Sequence, residues 1–176
     1  MQYFWNKTRG FTLIETLVAI TIFSIGIVAP LSVAFYAIRA AEVARDEISG
    51  FYFAEEGVEY IRHVRDTNIL EGANWLDDLT RCRNASGCNP VDILENVNAN
   101  NDFDNCGGAN SCYLEFDETT GLYDANGTIP TKFRRVIRVN TINSNEVEVV
   151  STVSWTTRTT DRSVILRDRM FNWSDI

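Results

Sequence analysis

Arg9-Gly10-Phe11-Thr12-Leu13-Ile14-Glu15-Thr16-Leu17-Val18-Ala19-Ile20, running on as TIFSIGIVAPLSVAFYAI to Ile38, is the stretch on which the architecture turns. The 23 residues from Thr16 to Ile38 carry no charge. A helix of that length is about 35 Å long, enough to cross a hydrocarbon core of about 30 Å. Lys7 and Arg9 precede the apolar run, and an acid-rich remainder follows it. This asymmetry predicts a cytoplasmic N-terminus and a C-terminal domain on the other side of the membrane. A secretory signal would be cut after the apolar run at small residues, and Ser32-Val33-Ala34 offers such a place. The length of the run argues against that reading, and so does the carboxylate just inside it, Glu15.

An ionised side chain in a membrane helix costs roughly 2.5–3.5 kcal/mol at the centre and less near the end. A residue held against that cost is a functional candidate and needs a partner. A cut after Gly10 supplies one, because it leaves an ammonium on Phe11, four residues before Glu15. Within one helix the two groups approach each other; between neighbouring subunits the pair sets the axial offset of one helix against the next. A buried ion pair adds little stability but serves well as a register device. The residues from Arg9 to Ile20 resemble the prepilin motif of type IV pilins, type II secretion pseudopilins and competence pseudopilins. The resemblance implies that a prepilin peptidase cuts after Gly10 and methylates Phe11, and that Glu15 recruits the next subunit's amino terminus during assembly. The plain alternative, a signal anchor with a chance glutamate, requires a basic leader, Gly, Phe, Thr-Leu-Ile-Glu and an unbroken apolar helix to coincide.

Pro30 falls inside the apolar helix. It removes one backbone hydrogen bond and predicts a kink or a loosened turn, to which Gly26 adds; a proline merely tolerated in the membrane is the alternative. Past Ile38, Ala44, Ile48, Phe51, Ala54, Val58, Ile61 and Val64 recur at three- and four-residue steps. They form one apolar stripe of an amphipathic helix. The spacing predicts a single helix from about Thr12 to about Asp66. Gly50 and Gly57 each weaken it by roughly 1 kcal/mol unless strands approach closely there. Residues 53–68, with Glu55-Glu56-Gly57 followed by an Arg-rich turn, resemble minor pilins of the PilV-like kind and pseudopilin-I-like chains. That resemblance implies a minor subunit.

Cys82, Cys88, Cys106 and Cys112 lie in one Asn/Asp/Gly-rich stretch. An even count in an exported domain predicts disulfides. Local pairs are the simplest of three connectivities, and the spacing does not choose among them. Four thiols or a metal site are the alternatives, but the C-x5-C spacing differs from the C-x2-C of most zinc sites. Residues 67–111 read as an irregular loop held by these bridges, with a short helical turn at Trp75–Leu79. After Cys112 the period changes to two. A hairpin around Glu118–Gly121 and strands over 132–140, 146–155 and 162–171 predict a three- or four-stranded antiparallel meander laid on the helix stripe. The fold class is α+β, pilin-like: a long N-terminal helix packed on a small antiparallel meander. The expected organisation is a leader at 1–10, a transmembrane and assembly helix at 11–38, and a periplasmic or extracellular globular domain at 39–176.

No catalytic constellation or cofactor motif stands out. His63, the sole histidine, lies among charged helix residues and reads as solvated. Asp102-Phe103-Asp104-Asn105-Cys106-Gly107 partly mimics a calcium loop but lacks the terminal glutamate; Asx turns explain its composition. Asn84 and Asn126 begin glycosylation-type patterns too common to use. Arg134, Arg135, Arg138, Arg158, Arg162, Arg167 and Arg169 enrich the C-terminal half in cations, yet the net charge is −8, so nucleic-acid binding is possible but unsupported. The combined reading is a structural subunit, a minor type IV pilin or pseudopilin. The alternatives are a type II secretion pseudopilin or a subunit for surface adhesion or DNA uptake. A membrane-anchored enzyme is a further rival. The implied partners are the prepilin peptidase, other pilin subunits, the inner-membrane assembly platform and the bilayer. The implied location is the inner membrane before assembly, and a surface pilus or periplasmic pseudopilus afterwards.

Overall fold

The computed structural model describes residues 10–91, 103–124 and 127–173. The basic leader through Arg9, Asp102 of the calcium-like run and Asn126 of one glycosylation pattern lie outside the described residues. Two compact units divide the chain, Met1–Ala44 and Arg45–Ile176. The first is the opening part of helix α1 (Leu13–Leu70). Its apolar side chains, from Leu13 through Ile38, are exposed to solvent. A helix that is apolar all round and covered by nothing is suited to lipid or to other helices.

The second unit packs the remainder of α1 on an antiparallel sheet. Among the described residues seven strands form it: β1 (Cys88–Pro90), β2 (Phe103–Asn105), β3 (Tyr113–Phe116), β4 (Tyr123–Asp124), β5 (Ile129–Asn143), β6 (Glu146–Thr157) and β7 (Thr160–Phe171). The β5–β6–β7 meander is its backbone, with Ile137 opposite Ser151 and Ser151 opposite Leu166. On the other side of β5, β1 pairs at Ile137 and β3 pairs from Arg134 to Ile129. β2 extends β1, and β4 closes the hairpin expected around Glu118–Gly121. The sheet therefore has more strands than the expected three or four. The stretch 67–111 holds β1 and β2, which alternation could not reveal in strands three residues long.

Alternation puts Phe133, Arg135, Ile137 and Val139 of β5 on the helix side, with Val147, Val149 and Val153 of β6. Val58, Ile61 and Val64 of α1 meet Ile137, Val139, Val147, Val149 and Met170 in the larger core; Ala54 joins Leu114, Phe133, Val153 and Trp155 in a second cluster. The helix stripe needs correction at its start. Asp46 and Gly50 are buried, whereas Ala44 is exposed, Ile48 is 58% exposed and Phe51 46%. The face is chosen by close approach. A Cβ on Gly50 would lie 2.6 Å from Trp155 Cζ3, and one on Gly57 would lie 2.9 Å from Ile137 Cδ1. Only glycine lets the strands in that far, so the buried face follows the glycines. The helix also runs to Leu70, one turn beyond the expected end. Trp75–Leu79 forms consecutive turns instead of helix, with Asp77 N–H donating to Asn74 O (2.8 Å) and Asp78 at φ +66°.

Candidate assembly site

The start of α1 is built by a reciprocal cap. The Thr12 hydroxyl accepts from Glu15 N–H at 3.3 Å, and Glu15 Oε2 accepts from Thr12 N–H at 3.4 Å. The Thr12 hydroxyl also lies 3.3 Å from Glu15 Oε2. This is the Thr-x-x-Glu capping box, which satisfies N–H groups that the first helical turn leaves without partners. A carboxylate there also faces the positive end of the helix dipole. Glu15 thus has a local role in the uncut chain, which its cost in a membrane did not disclose. Gly10 precedes the cap in open space, with no atom within 4 Å of where a Cβ would sit, and Phe11 is 79% exposed. The Gly10–Phe11 peptide bond is therefore accessible.

Along the apolar run, from Thr16 on, each serine and threonine hydroxyl turns back on the helix. Thr16 donates to Leu13 O, Thr21 to Val18 O, Ser24 to Ile20 O and Ser32 to Ala29 O, all at 2.7–2.8 Å. This back-bonding removes the penalty that an unpaired hydroxyl has in an apolar surrounding. Pro30 has no N–H to give the carbonyl of Gly26, one turn earlier. The helix nevertheless continues through it.

In the second unit, the cysteines form the local bridges Cys82–Cys88 and Cys106–Cys112. The lobe they brace is tied to β5 by backbone and side chain. Cys82 O accepts from Val139 N–H and Cys112 O from Arg135 N–H, both at 2.9 Å. Arg134 donates to Ser111 O and Cys106 O at 2.9 Å, and Arg138 to Ala85 O at 3.0 Å. Arg162, Arg167 and Arg169 lie against Glu47, Glu148 and Glu146. Arg162 is partly buried in its pair, whereas Arg167 and Arg169 remain largely exposed in theirs.

Two buried polar centres were not legible as sites. Arg135 is fully buried, with Nε donating to Asn89 Oδ1 at 2.6 Å and Nη1 to Glu56 Oε2 at 2.8 Å. It joins α1, β1 and β5 in one network. Asp46 is 7% exposed and accepts from Lys132 Nζ (2.6 Å) and Thr157 Oγ1 (2.7 Å). Burial pushes its carboxyl pKa up, but the hydrogen bonds from Lys132 and Thr157 and the charges of Lys132 and Arg45 outweigh it and hold it below the usual value. His63 is exposed on α1. In the calcium-like run, Cys106 is in a disulfide and Asn105 Oδ1 accepts from Gly107 N–H at 2.9 Å, an Asx turn. Among the described residues, no group of three or more His, Cys, Asp or Glu is placed to hold a metal ion.

Residues 5–29 match the family model described as the prokaryotic N-terminal methylation motif. No curated protein and no solved structure matches the chain. The motif match, the exposed apolar helix and the α+β fold together support a precursor of the type IV pilin and pseudopilin kind, anchored in a membrane before assembly.

Proposed function

We propose that this precursor is a minor pilin or pseudopilin: a structural subunit trimmed after Gly10, methylated on Phe11 and assembled through its N-terminal helix. The observation that carries the reading is Glu15, an acid at the head of an exposed apolar helix within a matched methylation motif. Trimming turns the neutral amide of Phe11 into an ammonium. The carboxylate that caps Thr12 in the uncut chain then faces a stronger partner, on its own chain or on the next one. Pro30 serves as the loosened point of the helix. Leader 1–10, helix 11–38 and globular domain 39–176 are the functional parts, and the disulfide-braced lobe is the face offered to other subunits or to the surroundings.

The minor-subunit assignment draws on residues 53–68. In this fold Glu56 holds buried Arg135, and Gly57 admits β5 to the helix, so the acidic-Gly centre of that stretch has a physical task. The partners are the prepilin peptidase, other pilins and the inner-membrane platform, and the destination is a pilus or pseudopilus. Co-expression with a prepilin peptidase tests the first step: the mass should fall by that of residues 1–10 and rise by one CH2, the net gain of N-methylation. A chain that keeps Met1 in the presence of active peptidase refutes the reading. Glu15→Ala tests the second: cleavage should persist while incorporation into filaments is lost.

A further inference from the structure

The last strand of the sheet has an open edge. Among the described residues β7 pairs with β6 alone, over twelve residues from Thr160 to Phe171. Half the backbone N–H and C=O groups of such a strand point away from its neighbour and want a partner. Side chains alternate along it. Arg162, Val164, Leu166 and Asp168 stand opposite Trp155, Val153, Ser151 and Val149 on the helix side. Asp161, Ser163, Ile165, Arg167 and Arg169 are exposed on the other side, with Ile165 at 55%.

Charged residues on an edge strand ordinarily repel a second strand. Here their order does the reverse for one visitor. Read outward from Ile165, the strand is self-complementary: Val164 mirrors Leu166, Ser163 mirrors Arg167, Arg162 mirrors Asp168 and Asp161 mirrors Arg169. We propose that the edge of β7 is a self-recognition surface, on which the β7 of a second copy docks antiparallel about a two-fold axis at Ile165. Asp161 then meets Arg169 and Arg162 meets Asp168 across the seam, each beside the partner it holds in its own chain (Thr156, Glu146, Glu47 and Arg62), and the apolar centre meets itself. Opposite charges directly across a strand pair attract, and like charges repel. Centring the pair on Val164 sets Arg162 against Leu166, and centring it on Leu166 sets Val164 against Asp168, so the register is specified. Local complementarity is required, because two copies at −8 each repel overall.

The docking also has a direction. Glu47 meets Arg162, Arg62 meets Asp168, and Asp66 meets Trp173. The helix segment from 45 to 70 therefore advances along β7 in the same sense. A two-fold antiparallel seam sets these segments of two copies in opposite senses. Copies whose segments run the same way, as neighbours in one filament, do not form it. The seam thus joins chains that meet from opposing directions, and it stands independently of the trimming and assembly reading.

The test is cysteine cross-linking of the full chain in detergent, where either orientation is allowed. In the pair, the Cα atoms of the two Ile165 residues lie about 4.5–5.5 Å apart, inside disulfide range. The two Ser163 residues lie about 13 Å apart, four rises of about 3.3 Å. Mild oxidation should convert Ile165→Cys into a covalent dimer, with at least about tenfold less from Ser163→Cys, since bridging needs Cα atoms within about 7 Å. Asp161→Arg in the Ile165→Cys chain should cut the yield, and adding Arg169→Asp should restore it. Sedimentation of the unmodified chain, with concentration-dependent dimer lost in Asp161→Arg, checks the same contact without a new thiol. A monomeric Ile165→Cys chain, or equal cross-linking from both positions, overturns the proposal. A foreign strand on this edge leaves Ile165→Cys uncoupled to itself and overturns it equally.

Discussion

Gly50→Ala is the sharpest probe of how the helix meets the sheet. Alanine improves helix propensity by about 1 kcal/mol over glycine, so an unobstructed site would gain stability. Gly50 is obstructed: the added Cβ falls 2.6 Å from Cζ3, 2.9 Å from Cη2 and 3.3 Å from Cε3 of Trp155. The indole is 3% exposed and stacks on Phe133 at 5.5 Å between centroids, so it is not a flexible end that swings aside. Overpacking of this kind costs about 1–3 kcal/mol. Contacts of 2.6 and 2.9 Å put the cost in the upper half of that range, so the net expectation is a loss of about 1–2 kcal/mol, read as a fall in Tm of about 2–4 °C per kcal/mol for a chain of this size. Thermal unfolding of the full chain in detergent, followed by tryptophan emission, measures it. Trp155→Phe removes the clashing atoms, so a double-mutant cycle should show the Gly50→Ala penalty shrinking in that background by more than about 0.5 kcal/mol. Gly26→Ala, with nothing within 4 Å of the new methyl, is the control without a clash. Equal or raised stability in Gly50→Ala would falsify the claim that glycine selects the buried face.

Arg135→Met should destabilise the globular unit by about 1–3 kcal/mol in urea, because buried Asn89 loses its partner, whereas Glu56, one-third exposed, is left to water. An unchanged midpoint would mean that the network contributes nothing. Part of the acid sensitivity should trace to Asp46. Its folded pKa lies below the unfolded one near 3.9, so its contribution is whole above that value and is lost as pH falls through the folded pKa. Wild type should therefore lose stability below about pH 4 more steeply than Asp46→Asn, and parallel pH profiles would refute the assignment. Each disulfide closes a short loop of sequence separation 6, for which chain entropy gives about 2–3 kcal/mol. Replacing Cys106 and Cys112 by serine should lower the urea midpoint accordingly and speed amide exchange in the lobe they brace.

What the sequence disclosed follows the range over which each signal acts. The helix head was legible because its chemistry is contiguous: Gly10, Phe11, Thr12 and Glu15 lie within one turn and a half. The long strands were legible because alternation over 132–140 or 146–155 repeats enough times to exceed noise. Cys88–Pro90 and Phe103–Asn105 repeat nothing, and their pairing rests on register with Ile137, about fifty residues from β1. The stripe failed at Ile48 and Phe51 because that part of α1 is apolar on more than one side. Periodicity then has no unique phase, and the choice falls to Trp155 and Lys132, which reach back to Gly50 and Asp46 from distant strands.

Those two misplaced residues say more about the helix than a correct phase would have. Between Asp46 and Gly57 α1 buries the small and polar side, with Asp46, Gly50, Ala54 and Gly57, and leaves Ile48, Phe51 and Tyr52 outside, before Val58, Tyr60, Ile61 and Val64 turn large groups inward. A helix serving only its own sheet would put the large apolar groups inward, since burying each contributes about 1.5–3 kcal/mol. The sheet instead takes the glycines, which let β5 and β6 approach closely, and satisfies Asp46 with Lys132 and Thr157. Large apolar groups therefore reappear on the exposed side of α1 at Ile48, Phe51 and Tyr52, among the exposed charges of Arg45 and Glu47. One helix thus has two kinds of surface, a close-fitting side for its own strands and a greasy side for something else. On the proposed reading, that something is the same helix on another subunit.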